Sequence, residues 1–592
     1  MARSGGRAGN VDRNAVAIVL DEISALLELN GENRFKARAF SNAARAVQRL
    51  TGDLDAVVRD GRLESIEGIG PATAAVIRDL VTTGESRYYA QLREKTPPGL
   101  LELLAVPKLG ISRIRELHAQ LGIASLDDLE QAAKAGRIAQ LSGYGPKTES
   151  RILAGVADMR SAVGRRRYAD ARELGQRLLD FTRDLAGVER CDLAGEYRRG
   201  CETVAGIELV AQIPVTARPA VLEHFRALPG AKRTGKNADH TALVTLSDRF
   251  QLKLTCVDAE AYATTLLYAT GSADHDTVLT QAASEHGLTL GAGGLFRGEQ
   301  RIATHDEADV YHAIGLQWIP PELRETGEEI AVSRDDALPR LVRYEDLRGC
   351  FHCHTLFSDG KATVDAMAEA AIERGWRYLG IADHSRFASY AGGLSPEEII
   401  AQHAQIDAWN ERNGEKLWLF KGIEADVLSD GRVDYDDRPD LLARFDYIVA
   451  SIHSSFGLER AEQTRRMVRA MQNAHVTFMG HLTGRLLLIR RGYDVDLDAV
   501  FAAAAEHGVS IEINSDPRRM ELDWRHWRRA KALGIRTAIN PDAHSAAQLD
   551  FVHNGINVAR KGWLESDDIV NCWPLDRVRA FLHESRGGRR NA

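Results

Sequence analysis

Long apolar runs are missing from this chain of 592 residues. None approaches the roughly 18 residues that a membrane-crossing helix needs, so no span is expected. No apolar stretch follows the opening MARSGGRAGNVDR either, which excludes a secretory signal and reads residues 1–11 as a disordered lead-in. Cysteine is scarce. The six residues at 191, 201, 256, 350, 353 and 572 form neither a zinc knuckle nor a secreted disulfide framework, and a reducing cytoplasm is the expected setting. A basic excess is also absent: 76 Lys and Arg against 84 Asp and Glu give a net charge of −8. Any nucleic-acid contact must therefore come from local patches or backbone amides. What remains is an ordinary globular composition, 44% hydrophobic and 27% charged, long enough for three or four domains.

Residues 12–95 show helical spacing (Val16, Val19, Leu20, Ile23, Leu26, Leu27). Lys36, Arg38, Arg45 and Arg49 lie on an Ala-rich helix, where a solvated face is the usual fate of such charges. Three segments then repeat one pattern, LESIEGIGPATAAVIRDL, LLAVPKLGISRIRELHAQLGI and IAQLSGYGPKTESRIL. Each is a helix end, a tight glycine turn and a second helix opening. The pattern resembles the helix-hairpin-helix motif, the later copies falling within residues 96–164. Gly68, Gly70, Gly110, Gly143 and Gly145 let a backbone come close, and amides at the second helix start aim at an anion, with Lys147 beside them. Such contacts position DNA without reading its sequence. The second copy departs from the pattern, with Lys108 where glycine is expected.

Alternating apolar stretches over residues 165–325 read as strands with helices between them. The charged, proline-punctuated segment 326–345 reads as a linker. From residue 346 to 582, seven short apolar strands alternate with amphipathic helices, which implies a parallel sheet long enough to close into a barrel. A basic tail follows at 583–592.

Metal-type side chains fall where these barrel strands end: His352 and His354, then Asp359 in the next loop, His384, Glu424, His453, His481, and Asp542 with His544. One such histidine is more often a satisfied polar residue than a ligand. Nine in register at six of seven strand ends are not explained that way. Structural zinc closes off four ligands, whereas nine suit two or three divalent ions. Mixed histidine and carboxylate donors accept Mn, Zn or Fe, with Mn the first choice here. Clustered ions acidify water and clamp a phosphate in displacement, which points to hydrolysis of a phosphate ester.

The segments FHCHTLFSDG, IADHS, GIEAD, ASIHS, GHLTGR and NPDAHS resemble the PHP (polymerase and histidinol phosphatase) family. The resemblance implies a distorted (β/α)7 barrel and a trinuclear site. It would group His352, His354, Glu424 and Asp542 on one ion, Glu424, His453 and His481 on a second, and Asp359, His384 and His544 on a third. Leu482 and Pro541 depart from the usual proline and threonine beside ligands. Arg485 and Arg518, just past strand ends, are candidates for gripping DNA phosphate.

Nearly the whole chain is similar to the bacterial family X DNA polymerases, through AGEYRRGCETV, YATGSADHD and GLQWIPPELRE. The expected architecture is thus multidomain α/β. It comprises an all-α hairpin region with a DNA-end-binding domain, an α+β nucleotidyltransferase-like palm (165–260), a thumb (261–325) and the PHP barrel. That family holds two magnesium ions with three aspartates. Here Gly206, Glu208 and Lys253 stand in those places. Three carboxylates carry −3; Glu208 with Lys253 carries about zero against +4 of metal. Glu196 replaces the serine that would meet a triphosphate, Ala269 a phenylalanine beside the sugar, and Asp276 an asparagine facing the base.

The leading expectation is a monomeric DNA-repair nuclease acting on gapped, nicked or 3′ ends. Its activity would be 3′-5′ exonuclease, with abasic-site cleavage or 3′-phosphate removal as possible additions. Polymerisation is expected to be lost. The alternatives are a gap-filling polymerase with an exonuclease, a non-catalytic DNA-end scaffold, and a small-molecule phosphatase. A Schiff-base lyase at Lys36 is not favoured.

Overall fold

The computed structural model describes residues 13–50, 54–104, 106, 109–234 and 240–587. The expected lead-in at 1–11, Lys108 and the end of the tail lie outside them, as does the side chain of Arg49. The chain forms two compact units, Met1–Val163 and Gly164–Ala592. Among the described residues no helix is long and apolar enough to cross a membrane.

In the first unit, helices Arg13–Leu29 and Arg34–Arg49 pack along each other. The apolar spacing of the first buries Val16, Leu20, Ile23 and Leu27; the second answers with Ala37, Phe40, Ala44 and Val47, whose small alanines allow close approach. Asn33 caps the second helix by accepting the Phe35 N–H at 2.8 Å. The three hairpin helices open directly after glycine, at Pro71, Ile111 and Pro146. Gly68 and Gly143 take positive φ (94° and 82°), a turn that other residues resist. At Gly70, Gly110 and Gly145 a Cβ would meet nothing within 4 Å among the described residues.

The second unit opens with a five-stranded sheet, in spatial order Arg190–Ala194, Gly206–Gln212, Gln251–Val257, Thr241–Thr245 and Arg233–Thr234. Its register sets Gly206 beside Gln251 and Glu208 beside Lys253. Helices Ala259–Thr270 and Ala273–Glu285 and a three-stranded antiparallel sheet follow. The linker expected at 326–345 needs correction. It contains a helix, Glu328–Arg334, with Ile330 in the core and Glu329 fully buried. Glu329 tolerates burial because His275 Nδ1 lies 2.6 Å from its carboxylate, while His275 Nε2 meets the Tyr311 hydroxyl at 2.8 Å.

Seven parallel strands then run in sequence order around a barrel: Gly349–Cys350, Tyr378–Ile381, Trp418–Asp426, Tyr447–Ser451, Phe478–Met479, Ser510–Asn514 and Thr537–Asn540. The first strand is shorter than its apolar pattern predicts. Beyond it, a bridge between Cys353 and Ala543 joins first and last strands, with the His354 N–H donating to the Ala543 carbonyl at 2.8 Å. Phe351, Tyr378, Phe420, Tyr447 and Phe478 form one buried aromatic cluster, contributed from before the ligands in each strand. Gly380 and Gly422 make room for it: a Cβ on either would overlap the Tyr447 ring or hydroxyl.

Candidate metal centre

Glu424, at the end of the third barrel strand, is the hub. Five imidazoles surround its carboxylate: His384 Nδ1 at 2.8 Å, His481 Nε2 at 2.9 Å, His453 Nε2 at 3.3 Å, His352 Nε2 at 3.4 Å and His354 Nε2 at 3.8 Å. Asp542 stands 3.2 Å from His354 and 3.7 Å from His352. Asp359 lies 3.2 Å from His544 and 3.6 Å from His384. All nine sequence-selected side chains therefore converge in one cluster. Three subsets have donor atoms close enough together to hold an ion: His352, His354 and Glu424; His384, Glu424 and His453; His354, Asp359, His384 and His544. His354 joins the last subset in addition to the group that the resemblance implies.

Backbone conformation is bent to this purpose. His481 (φ 23°) and Asp542 (φ 52°) sit in the left-handed region, which bulky residues occupy at a cost of about 1–3 kcal/mol and which concentrates at functional sites. The loop carrying Asp359 is tied down by Asp383, which accepts from the Thr355 N–H at 2.7 Å and the Thr355 hydroxyl at 2.6 Å.

The donor set fits divalent ions. His352 Nε2 and His354 Nδ1 are buried without a hydrogen-bond partner in the protein. The other nitrogen of His352 is fixed by Glu512, 2.7 Å from Nδ1. Glu512 also accepts from the His481 N–H at 3.1 Å and from Asn514 and Asn540 at 2.9 Å each. Asp426 does the same for His453, 3.2 Å from Nδ1. A carboxylate behind a ligand histidine sets which nitrogen points inward. Sequence reasoning missed Glu512 and Asp426. A glutamate between Ile511 and Ile513, in a strand buried on both faces, was the signal.

Electrostatics follow from burial and neighbours. Burial opposes ionisation of Glu424, but His453, His352 and His384 outweigh it and hold the carboxyl well below its usual range. Burial, with His384 and His544 nearby, brings His354 down to about 4, leaving its imidazole neutral and able to donate a lone pair.

The two arginines chosen from sequence differ. Arg485 is largely buried, and its guanidinium is engaged by the Arg519 and Met520 carbonyls, Asp523 at 3.1 Å and Glu202 at 3.1 Å. A DNA grip at Arg485 is thus corrected: its donors tie the barrel rim to the palm sheet region. Arg518 is exposed and pairs with Asp516. Its neighbour Arg519 was overlooked. It is largely buried, with Nε 3.9 Å from Asp542 Oδ2, so its charge faces the cluster.

The palm cleft is arranged otherwise. Lys253 Nζ bonds Glu208 at 2.9 Å. Glu196 is held by Arg165, 3.0 Å from both carboxylate oxygens, and by the Ala205 N–H at 2.8 Å. Arg198 pairs with Glu307 at 2.7 Å and Arg199 with Glu325 at 3.0 Å. A Cβ at Gly206 would lie 2.4 Å from the Gln251 carbonyl oxygen. Ala269 is part-buried against a small core of Ala194, Val210, Tyr262 and Leu266. Asp276 has an unpartnered buried oxygen, and burial pushes its carboxyl up to about 7. In the first unit, the neighbouring Tyr88 and Glu32 raise the Lys36 ammonium, the reverse of what a Schiff-base lysine needs.

Family comparisons agree with this layout. A helix-hairpin-helix domain matches residues 12–86, a SAM-like helix-hairpin-helix tandem 100–158, the DNA polymerase beta thumb 265–325 and the PHP domain 351–516. Together these modules define a DNA-binding protein with a hydrolytic domain. Among curated relatives, the DNA polymerase/3′-5′ exonuclease PolX of Bacillus subtilis (strain 168) is 35% identical over 579 residues, covering 95% of this chain and 98% of the relative. The chain belongs to the bacterial family X DNA polymerases that carry a C-terminal PHP domain. Its barrel region alone is also similar to probable phosphatases. That of Caldanaerobacter subterraneus subsp. tengcongensis is 27% identical over 265 residues (41% of this chain, 94% of the relative). That of Edwardsiella ictaluri is 26% identical over 251 residues (39% and 92%).

Proposed function

We propose that this protein is a metal-dependent DNA phosphodiesterase, a 3′-5′ exonuclease of DNA repair, whose barrel cuts and whose palm no longer polymerises. The observation that carries the reading is the Glu424 hub, one carboxylate facing five imidazoles with Asp542 and Asp359 at its flanks. Manganese is the first-choice ion, and zinc and iron suit the same donors. Divalent ions in such a site acidify water and offset the charge that a phosphate develops during displacement. The residues do the rest. Glu512 and Asp426 orient His352 and His453. Arg519, its charge facing Asp542, is placed to bind a phosphate oxygen. The hairpin helices support DNA as the substrate. Gly70, Gly110 and Gly145 are not needed for internal packing, so glycine there suits the approach of an outside backbone.

Loss of polymerisation rests on the palm's internal pairing. Glu208 is neutralised by Lys253 and Glu196 by Arg165, so among the described residues no cluster of free carboxylates is left there for magnesium. The double name of the Bacillus subtilis relative supports a second reading, gap filling at the palm. One assay separates the two: labelled gapped DNA with Mn, with and without nucleotides. Shortening in both samples is expected. Lengthening with nucleotides would sink the claim of a silent palm, and an unchanged strand would sink the nuclease.

A further inference from the structure

One palm side chain reaches the rim of the metal centre. Glu202 lies in the turn between the palm helix Gly195–Arg198 and the strand Thr203–Val204. Its carboxylate meets the Arg485 guanidinium at 3.1 Å, and the two side chains are only 12% and 14% exposed. Removing one half of such a pair leaves the other charge uncompensated. The turn is itself seated on the barrel. Lys561 Nζ, on a side chain with no exposed surface, donates to the Arg199 carbonyl at 3.1 Å and pairs with Glu325. A Cβ on Gly200 would lie 3.4 Å from Asn557, and the Glu202 carbonyl accepts the Tyr168 N–H at 2.9 Å.

Arg485 directs its other donors to one segment of the rim. Nε donates to the Arg519 carbonyl at 3.0 Å, Nη2 to the Met520 carbonyl, and Nη1 to Asp523 at 3.1 Å. Met520 sits at φ 42°, in the left-handed region that a side chain of this size resists. The backbone there therefore needs outside support. The same segment carries Arg519, whose guanidinium lies 3.6 Å from Glu521 and 3.9 Å from Asp542. Neither contact is a hydrogen bond, so the guanidinium takes its place from the backbone beneath it.

We propose that Glu202 is a positioning residue for hydrolysis in the barrel: by holding Arg485 it sets the Arg519–Met520 backbone, and so aims the Arg519 guanidinium at the substrate phosphate. The inference rests on the reading of Arg519 as a phosphate-binding group. It gives the palm a task that needs no nucleotide chemistry. A misplacement of about 1 Å can cost about a hundredfold in rate, so a carboxylate outside the metal site governs the chemistry within it.

The test uses the full-length protein with Mn and two substrates, labelled single-stranded DNA and bis(p-nitrophenyl) phosphate. The small diester reads the barrel alone, without DNA held elsewhere on the chain. Arg519→Ala should lower kcat/KM for the diester about a hundredfold and Glu202→Ala about tenfold, with bound metal unchanged in both by elemental analysis. The double variant should be no slower than Arg519→Ala, because the glutamate acts only through that arginine. Glu202→Gln keeps an acceptor oxygen for Arg485 and should stay within about threefold of the wild type. Unchanged diester turnover in Glu202→Ala overturns the proposal. So does loss of its metal, or a tenfold loss that persists on top of Arg519→Ala. If Glu202→Ala does not fold, Arg485→Lys serves in its place: it keeps the charge but cannot hold both carbonyls and Glu202 at once, and full diester turnover there overturns the proposal equally. Arg519→Ala at the wild-type rate removes the phosphate-binding reading and the proposal with it. A wild type that cuts the diester but no DNA overturns the nuclease reading alone and leaves the positioning role standing.

Discussion

The palm and the barrel each place charged side chains on parallel strands, yet their charges are balanced in opposite ways. In the palm the two carboxylates beside the expected metal positions each have a protein cation: Lys253 on Glu208, Arg165 on Glu196. In the barrel, Glu424 and Asp542 face imidazoles, groups that can give up a proton and offer a lone pair. An ammonium or guanidinium competes with a metal ion for the same carboxylate; a neutral imidazole joins it. The comparison teaches that a cluster's capacity for metal depends less on how many carboxylates it has than on what already neutralises them.

The largest expected effect lies at the hub. Glu424→Gln should lower DNA hydrolysis at least about a thousandfold and strip metal from the purified protein, as elemental analysis would read. DNA affinity by anisotropy should be retained. If metal content and rate survive, the contrast between the two regions collapses. Next comes Glu512→Gln, which keeps the shape but weakens the acceptor behind His352. It should cost about 10–100-fold in metal affinity or rate, and excess Mn should restore part of it. A variant that excess metal leaves untouched would argue for a purely structural Glu512.

Smaller effects are expected in the palm. Gly206→Asp should destabilise the fold by about 1–3 kcal/mol in chemical denaturation, because its Cβ meets the Gln251 carbonyl. It should also yield no primer extension while Lys253 remains. The smallest effect is at Asp276. Its carboxyl, at about 7 in the folded chain against 3.8 ordinarily, keeps its proton in the native state where the unfolded chain has lost it. Stability therefore falls as pH rises from about 4 to 7 and is flat above. Asp276→Asn should raise stability at pH 8 by about 1–2 kcal/mol, solvent screening included, with the gain vanishing near pH 4. Equal melting temperatures at both pH values would count against a buried, unpaired carboxyl.

Much of the barrel could be read directly. A short apolar strand between amphipathic helices is a local signal, and seven of them, six ending in ligand-type residues, specify a parallel barrel and its active rim. The helical spacing of residues 13–29 was equally legible. What sequence hid was pairing at a distance. Glu329 belongs to a charged, proline-flanked segment, and its burial depends on His275, 54 positions away. Arg485 looks like any rim arginine until Glu202, 283 positions earlier, is placed beside it. Arg518 and Arg519 are indistinguishable by type, and only the turn after the sixth strand decides which one faces the cluster.

The register that sets Gly206 against Gln251 also constrains descent. An aspartate at 206 alone meets a carbonyl; removing Lys253 alone leaves Glu208 without its partner; neither step adds a metal site. Neither single change restores a set of carboxylates, so a return would need several substitutions together. On the proposed loss of polymerisation, selection acting one substitution at a time has no short way back, and the palm behaves as a ratchet.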